Sequence, residues 1–156
     1  MKKLIVFVLI LVSGSSFAQN EAKRINLYNL ENKLGIQGYD PVGYFNLGKA
    51  VKGKKEISVS YQGVVYNFSS VENKNTFLKN PVKYEPQYGG WCAYAMGDSG
   101  EKVEINPETF KIIDGKLYLF YNAYFNNTLK SWNKDESNLK TKADNNWKKI
   151  YNNQKP

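Results

Sequence analysis

The chain has 156 residues, a formal net charge of +8 and no histidine. This length fits one domain with a core of its own. The lack of histidine excludes a Ser-His-Asp triad, a Cys-His pair, a histidine zinc site and a histidine-ligated haem. The single cysteine, Cys92, excludes an internal disulfide and a four-cysteine metal site. The lysines are scattered, which is typical of a solvated surface, so we predict no nucleic-acid partner.

The first eighteen residues have the three parts of a secretory signal peptide. Lys2 and Lys3 give a positive start, residues 4–12 are apolar throughout, and small residues precede a cleavage site after Ala18. The apolar run is too short to span a bilayer, which needs about 20 residues. We therefore predict a signal peptide over 1–18. The mature chain is expected to lack a transmembrane segment and to be exported to the periplasm or the extracellular space.

The mature chain opens on a polar stretch over residues 19–34. Scattered apolar residues there predict a short strand or an extended lead-in: Ile25, Leu27 and Leu30. After the lead-in we expect a single domain over 35–152. Near its start, Asp40 followed by Pro41 is typical of the beginning of a short helix.

Two β-hairpins are predicted from turn residues that separate apolar or alternating runs. One covers residues 57–68 around Gln62-Gly63, and the other covers 110–121 around Asp114-Gly115. Ser69 and Glu72 have capping-box spacing, which predicts a helix running to about Lys79.

Helical spacing of apolar residues predicts two C-terminal helices. The first contains Phe125, Leu129 and Trp132, and the second contains Leu139, Ala143, Trp147 and Ile150. The fold class is therefore α+β. We expect a small antiparallel sheet made from the two hairpins, short helices packed on one face, and the two C-terminal helices.

Several segments together resemble the YHS domain family, and more closely its exported branch. They are GYDPVGYF at 38–45, GKAVKG at 48–53, the stretch at 66–96, DGKLYLFYN at 114–122 and KADNNW at 142–147. The resemblance implies a small α+β module. In relatives attached to heavy-metal ATPases it implies metal binding through cysteines, and the corresponding positions here are Gly43, Ser69 and Asn73. None is a thiol, and Ser69 is expected to cap a helix instead, so the resemblance supports the fold more than a metal function.

The most unusual stretch is 87–96, which contains Cys92 and Met96 after two glycines. If residues 91–96 are helical, the two sulfur side chains share a face, because i and i+4 residues are neighbours on a helix. Thiolate and thioether are soft ligands that select Cu(I). Cys92 and Met96 are therefore candidate metal ligands, with copper as the candidate cofactor.

Cys92 has two other interpretations. In the first turn of a helix, free N–H groups and the helix dipole favour a reactive thiolate, which would suit a redox or partner-docking protein. A free cysteine is also among the most buried residue types, and the glycines would then only permit a tight turn. The sequence leaves these alternatives open, together with the identity of any protein partner.

Aromatic residues in the same region suit a pocket for a small organic ligand. The candidate ligand-binding residues are Tyr84, Tyr88, Trp91 and Tyr94. The alternative is that the rings pack in the core. With no histidine and no recognisable carboxylate pair, we predict no enzymatic activity. The predicted function is an exported accessory module that binds a small ligand or a soft metal ion near residues 84–96.

Overall fold

The computed structural model describes residues 18–153. The predicted signal peptide therefore lies outside the described residues, except for Ala18. The helices are α1 over 18–27, α2 over Gly43–Asn46, α3 over Val71–Lys79, α4 over Pro81–Tyr84, α5 over Ala93–Asp98, α6 over Thr128–Trp132 and α7 over Glu136–Asn153. The strands are β1 over Leu30–Glu31, β2 over Leu34–Gly35, β3 over Lys54–Tyr61, β4 over Val64–Phe68, β5 over Asn106–Ile113, β6 over Lys116–Phe120, β7 over Asn122–Ala123 and β8 over Asn126–Asn127. Within residues 18–153, no helix has the length and apolar character needed to cross a membrane.

The predicted α+β class is confirmed, but the two hairpins do not share one sheet. Strands β3 and β4 belong to a sheet of order β1-β2-β4-β3, whereas β5 and β6 form a separate two-stranded sheet. Strand β2 runs parallel to β4, with Leu34 opposite Val65, so the larger sheet is mixed. The prediction of a single antiparallel sheet is wrong, because the lead-in supplies the strand that pairs with the second edge of β4.

Both hairpin turns form where they were predicted. Gln62 and Gly63 have φ values of 47° and 82°, and Asp114 and Gly115 have values of 51° and 70°. Two-residue turns with both central residues in the left-handed region match the right-handed twist of the flanking strands. Local turn chemistry is therefore enough to locate both hairpins.

The lead-in differs from the prediction. Residues 18–27 are helical, and Arg24 and Leu27 are buried on one side of this helix. Leu30 does enter a strand, the short β1. The helix is fixed by long-range contacts of Arg24, which the local pattern of apolar residues does not reveal.

The cap of α3 is shifted by one residue. The Ser70 hydroxyl oxygen accepts a hydrogen bond from the Asn73 N–H at 3.1 Å, so Ser70 is the N-cap and the prediction of Ser69 is wrong. The two C-terminal helices are confirmed, with Trp132 buried in α6 and Leu139 in α7. Phe125, which was predicted to join the first of them, lies in the turn between β7 and β8 instead.

The core consists of two hydrophobic clusters whose described members lie between Tyr28 and Ile150. The first surrounds β4 and α3, and the second lies among β6, α5, α6 and α7. Helix α5 comes very close to α7, because a Cβ on Gly97 would lie 2.4 Å from the Leu139 carbonyl oxygen. The stretch 84–96 lies between the clusters, which determines how each of its side chains is used.

Candidate functional site

The backbone of the stretch 84–96 makes a tight 3₁₀ turn over Gln87–Gly90 before α5 begins. Tyr88, Gly89 and Gly90 follow one another in the left-handed region, with φ values of 56°, 61° and 86°. This region is costly for a bulky residue such as Tyr88 and easy for glycine. A Cβ on Gly89 would lie 2.8 Å from the Tyr28 ring and 3.0 Å from the Trp147 ring. The glycine therefore lets both rings close on the turn.

Cys92 is completely buried, and its sulfur is engaged by neighbouring polar groups. The Tyr121 N–H donates to Sγ at 3.3 Å, and the Thr128 hydroxyl lies 3.4 Å from Sγ. The Thr128 hydroxyl donates its own proton to the Tyr121 carbonyl at 2.9 Å. The protonated thiol can therefore donate to Thr128 while it accepts from Tyr121. This closed arrangement is what the core interpretation of Cys92 requires.

Met96 is also completely buried, but it belongs to the other cluster. Its N–H donates to the Cys92 carbonyl at 3.0 Å, as expected one helical turn apart. The Met96 side chain joins Tyr88, Trp132 and Leu139, whereas Cys92 joins the cluster around β4. A metal ion at this sulfur pair would have to displace packed side chains from both clusters.

The four predicted ligand-binding residues occupy different environments. Tyr84 is buried, with its ring centroid 5.2 Å from that of Phe45. Trp91 is half-buried, and its indole N–H donates to the Leu27 carbonyl at 2.7 Å. Tyr94 packs against both clusters. Of the four, Tyr88 is the one that lines a groove at the surface of the described residues.

That groove runs between the 3₁₀ turn and α7, and we call it the aromatic groove. It consists of two cavities of about 160 and 340 Å³ that share Gln87, Tyr88 and Trp147. The smaller cavity is also lined by Tyr28, Val82, Glu85, Pro86 and Gly89, and the larger by Asp144, Lys148, Tyr151 and Asn152. The Trp147 centroid lies 6.1 Å from that of Tyr28 and 6.2 Å from that of Tyr151. Three distant segments of the chain thus supply one row of aromatic rings.

The polar groups at the larger cavity are connected to one another. The Tyr88 hydroxyl donates to Asp144 at 2.9 Å, and the Lys140 ammonium donates to the other Asp144 oxygen at 3.0 Å. Burial raises the pKa of the Tyr88 hydroxyl, and the hydrogen bond to the Asp144 carboxylate raises it further. Tyr88 is therefore a neutral donor that holds Asp144 in place.

A buried ion pair lies beneath the smaller cavity. The Arg24 guanidinium of α1 pairs with the Glu85 carboxylate, and the Tyr66 hydroxyl donates to the same Glu85 oxygen at 2.7 Å. Burial lowers the pKa of Arg24, but the hydrogen bond and charge of Glu85 outweigh it and raise that pKa overall. Arg24 also donates to the Tyr28 hydroxyl at 2.7 Å. The groove floor is thereby fixed to the N-terminal helix.

The three positions that correspond to cysteines in metal-binding relatives do come together, around Asp40. The fully buried Asp40 carboxylate accepts from the N–H groups of Val42 and Gly43 at 2.9 and 3.3 Å. It also accepts from the Ser69 N–H and hydroxyl at 2.8 and 2.7 Å. The Asn73 amide is a fifth donor at 2.7 Å. These residues do not fit a copper site, because they offer no thiolate and their donors already satisfy the carboxylate.

Among residues 18–153, no three His, Cys, Asp or Glu side chains cluster in a way that could hold a metal ion.

The sequence predicts Trp147 on the apolar stripe of a helix, and it gives no prediction for Tyr28 and Tyr151. The long-range meeting of Tyr28 and Trp147 at Gly89 has no local signature. The nearest signal in the sequence is Gly89-Gly90, which indicates close backbone approach without naming the neighbours.

Comparison with known proteins identifies a domain family but no individual relative. A search of curated proteins found no match, and a search of solved structures found none. YHS domains are associated with metal handling, copper included. The matched segment begins beside Asp40 and ends at Tyr88, so it contains Gly43, Ser69 and Asn73 and stops before Cys92. The comparison with protein families identifies a YHS domain at residues 42–88 of this chain.

Proposed function

We propose that the chain is an exported accessory module that binds a small organic ligand in the aromatic groove and catalyses no reaction on it. The observation that carries this proposal is the convergence of Tyr28, Tyr88, Trp147 and Tyr151 on one open groove. Concave sites with aromatic walls and a few polar groups are the usual form of small-molecule sites. Export rests on the predicted signal peptide alone.

The chemistry of the groove favours a flat ligand with an anionic substituent. The half-buried rings of Trp147 and Tyr151 offer apolar surface in the groove, which suits a planar ring system. Asp144 is already engaged by Tyr88 and Lys140, so its charge is balanced within the protein. Lys148 also lines the larger cavity, and it is exposed. We infer that its ammonium group pairs with the ligand anion.

The groove is held in shape before a ligand arrives. The left-handed turn at Tyr88 and Gly89, the Arg24–Glu85 ion pair and the Tyr88–Asp144 hydrogen bond each fix one wall. A preformed site loses less conformational entropy when it binds, which leaves more of the contact energy for affinity.

The sulfur-based alternatives find less support in the geometry. Copper binding by Cys92 and Met96, and thiol redox chemistry at Cys92, both need an accessible sulfur. Both side chains are completely buried, and the Cys92 sulfur already has two polar neighbours. We therefore place the function in the aromatic groove, which Tyr88 of the same stretch lines.

The proposal can be tested with anilinonaphthalene sulfonate, a fluorescent probe that combines aromatic rings with one anionic group. We expect saturable binding to the folded protein at one probe per chain. Lys148→Glu reverses a charge in the groove and should weaken binding roughly fivefold, because one close ion pair in water is replaced by repulsion. Lys149→Glu is the matched control, since Lys149 is the exposed next residue of α7 and lies outside the groove lining.

The control should bind the probe almost as well as the unmodified protein, because its charge change lies outside the groove. Equal weakening by the two variants would show that the probe senses only the overall charge. Either that result or the absence of saturable binding would overturn the proposal.

A further inference from the structure

The most exposed large apolar side chains of the described residues sit together at one hairpin tip. Tyr124 and Phe125 form the two-residue turn between β7 and β8, and their relative exposures are 92% and 111%. Other exposed apolar residues, such as Val82 at 69%, retain more contact with the protein. The tip therefore presents two adjacent aromatic rings directly to the surroundings.

The backbone of this tip is unfavourable for the residues that occupy it. Tyr124 and Phe125 have φ values of 51° and 66°, both in the left-handed region. Two-residue hairpin turns of this kind favour Asn-Gly, because bulky residues are strained there. Neither burial nor local conformational preference accounts for two aromatic residues at these positions. A contact outside the chain would account for them.

The base of the hairpin is tied firmly to the body of the protein. The Asn122 amide donates to the Thr109 hydroxyl at 3.0 Å, and the Asn106 amide donates to the Asn122 carbonyl at 3.4 Å. The Thr128 N–H donates to the Tyr121 carbonyl at 3.0 Å. The rings are thus carried on an anchored support.

The residues that flank the tip in sequence carry positive charge, whereas β5, which contacts the base of the hairpin, contributes the exposed Glu108. Between Asp114 and Asp135 the charged residues are Lys116, Lys130 and Lys134. Lys130 and Lys134 are exposed and follow the hairpin directly, in α6 and just after it. The lysines that follow the tip in sequence are therefore complementary to an anionic surface.

We propose that the Tyr124–Phe125 tip inserts into the interface of a lipid bilayer whose surface is anionic. Aromatic side chains with an apolar body, and a polar end in the case of tyrosine, favour the membrane–water boundary. Lysines beside the tip add attraction to anionic headgroups. The insertion positions the protein at a membrane surface without a spanning segment, and it is independent of ligand binding in the aromatic groove.

The test is sedimentation of the protein with vesicles. One set is made of phosphatidylcholine, and the other of equal parts of phosphatidylcholine and phosphatidylglycerol. The protein tested is the predicted mature chain from residue 19, because the apolar run of residues 4–12 would itself bind lipid, and because the described core, including Arg24 and Leu27, lies after that point. We expect binding to the anionic vesicles that decreases when salt is added.

The decisive variant is Tyr124→Asn with Phe125→Gly, which removes both rings and installs the favoured turn pair. It should bind the anionic vesicles roughly tenfold less well or worse, because each ring contributes apolar burial at the interface. Its midpoint of urea unfolding should not decrease, so a loss of binding is not a loss of folding. Leu47→Ser, which removes an exposed apolar side chain elsewhere, should leave binding unchanged.

Two results would overturn the proposal. One is equal vesicle binding by the double variant and the unmodified protein. The other is an unmodified protein that stays in the supernatant with both kinds of vesicle, which would assign the tip to a different kind of partner.

Discussion

Cys92 and Tyr88 lie four residues apart, and the fold uses them in opposite ways. Cys92 is sealed in the first cluster, where Tyr121 and Thr128 engage its sulfur. Tyr88 is also almost fully buried, with its ring in the second cluster, but it lines the aromatic groove, and its hydroxyl donates to the exposed Asp144. The single cysteine of the chain is therefore enclosed in the core, while a tyrosine four residues away lines a groove.

The difference arises from what covers each residue. Cys92 is the N-cap of α5, and its sulfur is engaged by Tyr121, which directly follows β6, and by Thr128 at the start of α6. Tyr88 lies on the preceding turn, where Gly89 admits Tyr28 and Trp147 but leaves a gap between turn and helix. A side chain's chemistry shows what it could do, and long-range packing decides whether it is reachable.

The largest loss of stability is expected when the ion pair that fixes the groove floor to α1 is broken. Arg24→Met leaves Glu85 as a buried charge without its cation, and such a loss costs about 3–5 kcal/mol of unfolding free energy. Urea unfolding at neutral pH measures it. Lys23→Met is the matched control. The Lys23 ammonium lies over the Tyr151 ring, and its loss should cost less than about 1 kcal/mol of unfolding free energy.

A loss of less than about 1 kcal/mol in Arg24→Met would contradict this expectation, since it would equate the pair with an exposed salt bridge. The floor of the groove would then not depend on α1. The contrast between a fixed groove and a sealed thiol would have to be revised.

The Arg24–Glu85 pair also shows why the sequence predicts some parts of this fold and misses others. Gln62-Gly63 and Asp114-Gly115 predicted both hairpins, because the preference for a left-handed turn is written into the residues that form it. The apolar stripe of α7 was also predicted, because its helical spacing is a local feature of the sequence. The helical lead-in was missed, because Arg24 is stabilised by Glu85, which is distant in sequence.

The second-largest loss of stability is expected at alkaline pH, where the Tyr28 hydroxyl ionises. Burial raises the pKa of the Tyr28 hydroxyl to about 12 from its ordinary value of 10.0. The folded state therefore holds this proton more tightly than the unfolded state, so the stabilisation is complete below about pH 10 and is lost as the pH rises towards 12. The loss should reach about 2 kcal/mol for Tyr28 and be smaller in Tyr28→Phe.

Unfolding by urea at several alkaline pH values measures this loss, and phenolate absorbance follows the ionisation directly. If Tyr28→Phe and the unmodified protein lose stability equally over this range, the groove hydroxyl is not responsible. The alkaline loss of stability would then have to be assigned to another tyrosine whose pKa is raised by burial, such as Tyr88 or Tyr66.

The candidate site was predicted less completely than the fold. Gly89-Gly90 correctly indicated a tight turn with close backbone approach. The neighbours that complete the groove, Trp147 and Tyr151, come from α7 and could not be inferred from local spacing. The cysteine positions implied by the YHS resemblance do meet, but around the carboxylate of Asp40.

The contrast between the sealed Cys92 and the groove lined by Tyr88 is tested most directly by maleimide labelling of Cys92 in the folded protein, with and without saturating anilinonaphthalene sulfonate. We expect Cys92 to react slowly in both samples and rapidly only after unfolding in urea, while the probe binds the folded protein in the sample that contains it. Rapid labelling in the folded state would contradict the burial of Cys92, and suppression of that labelling by the probe would place the accessible thiol and the ligand at the same site.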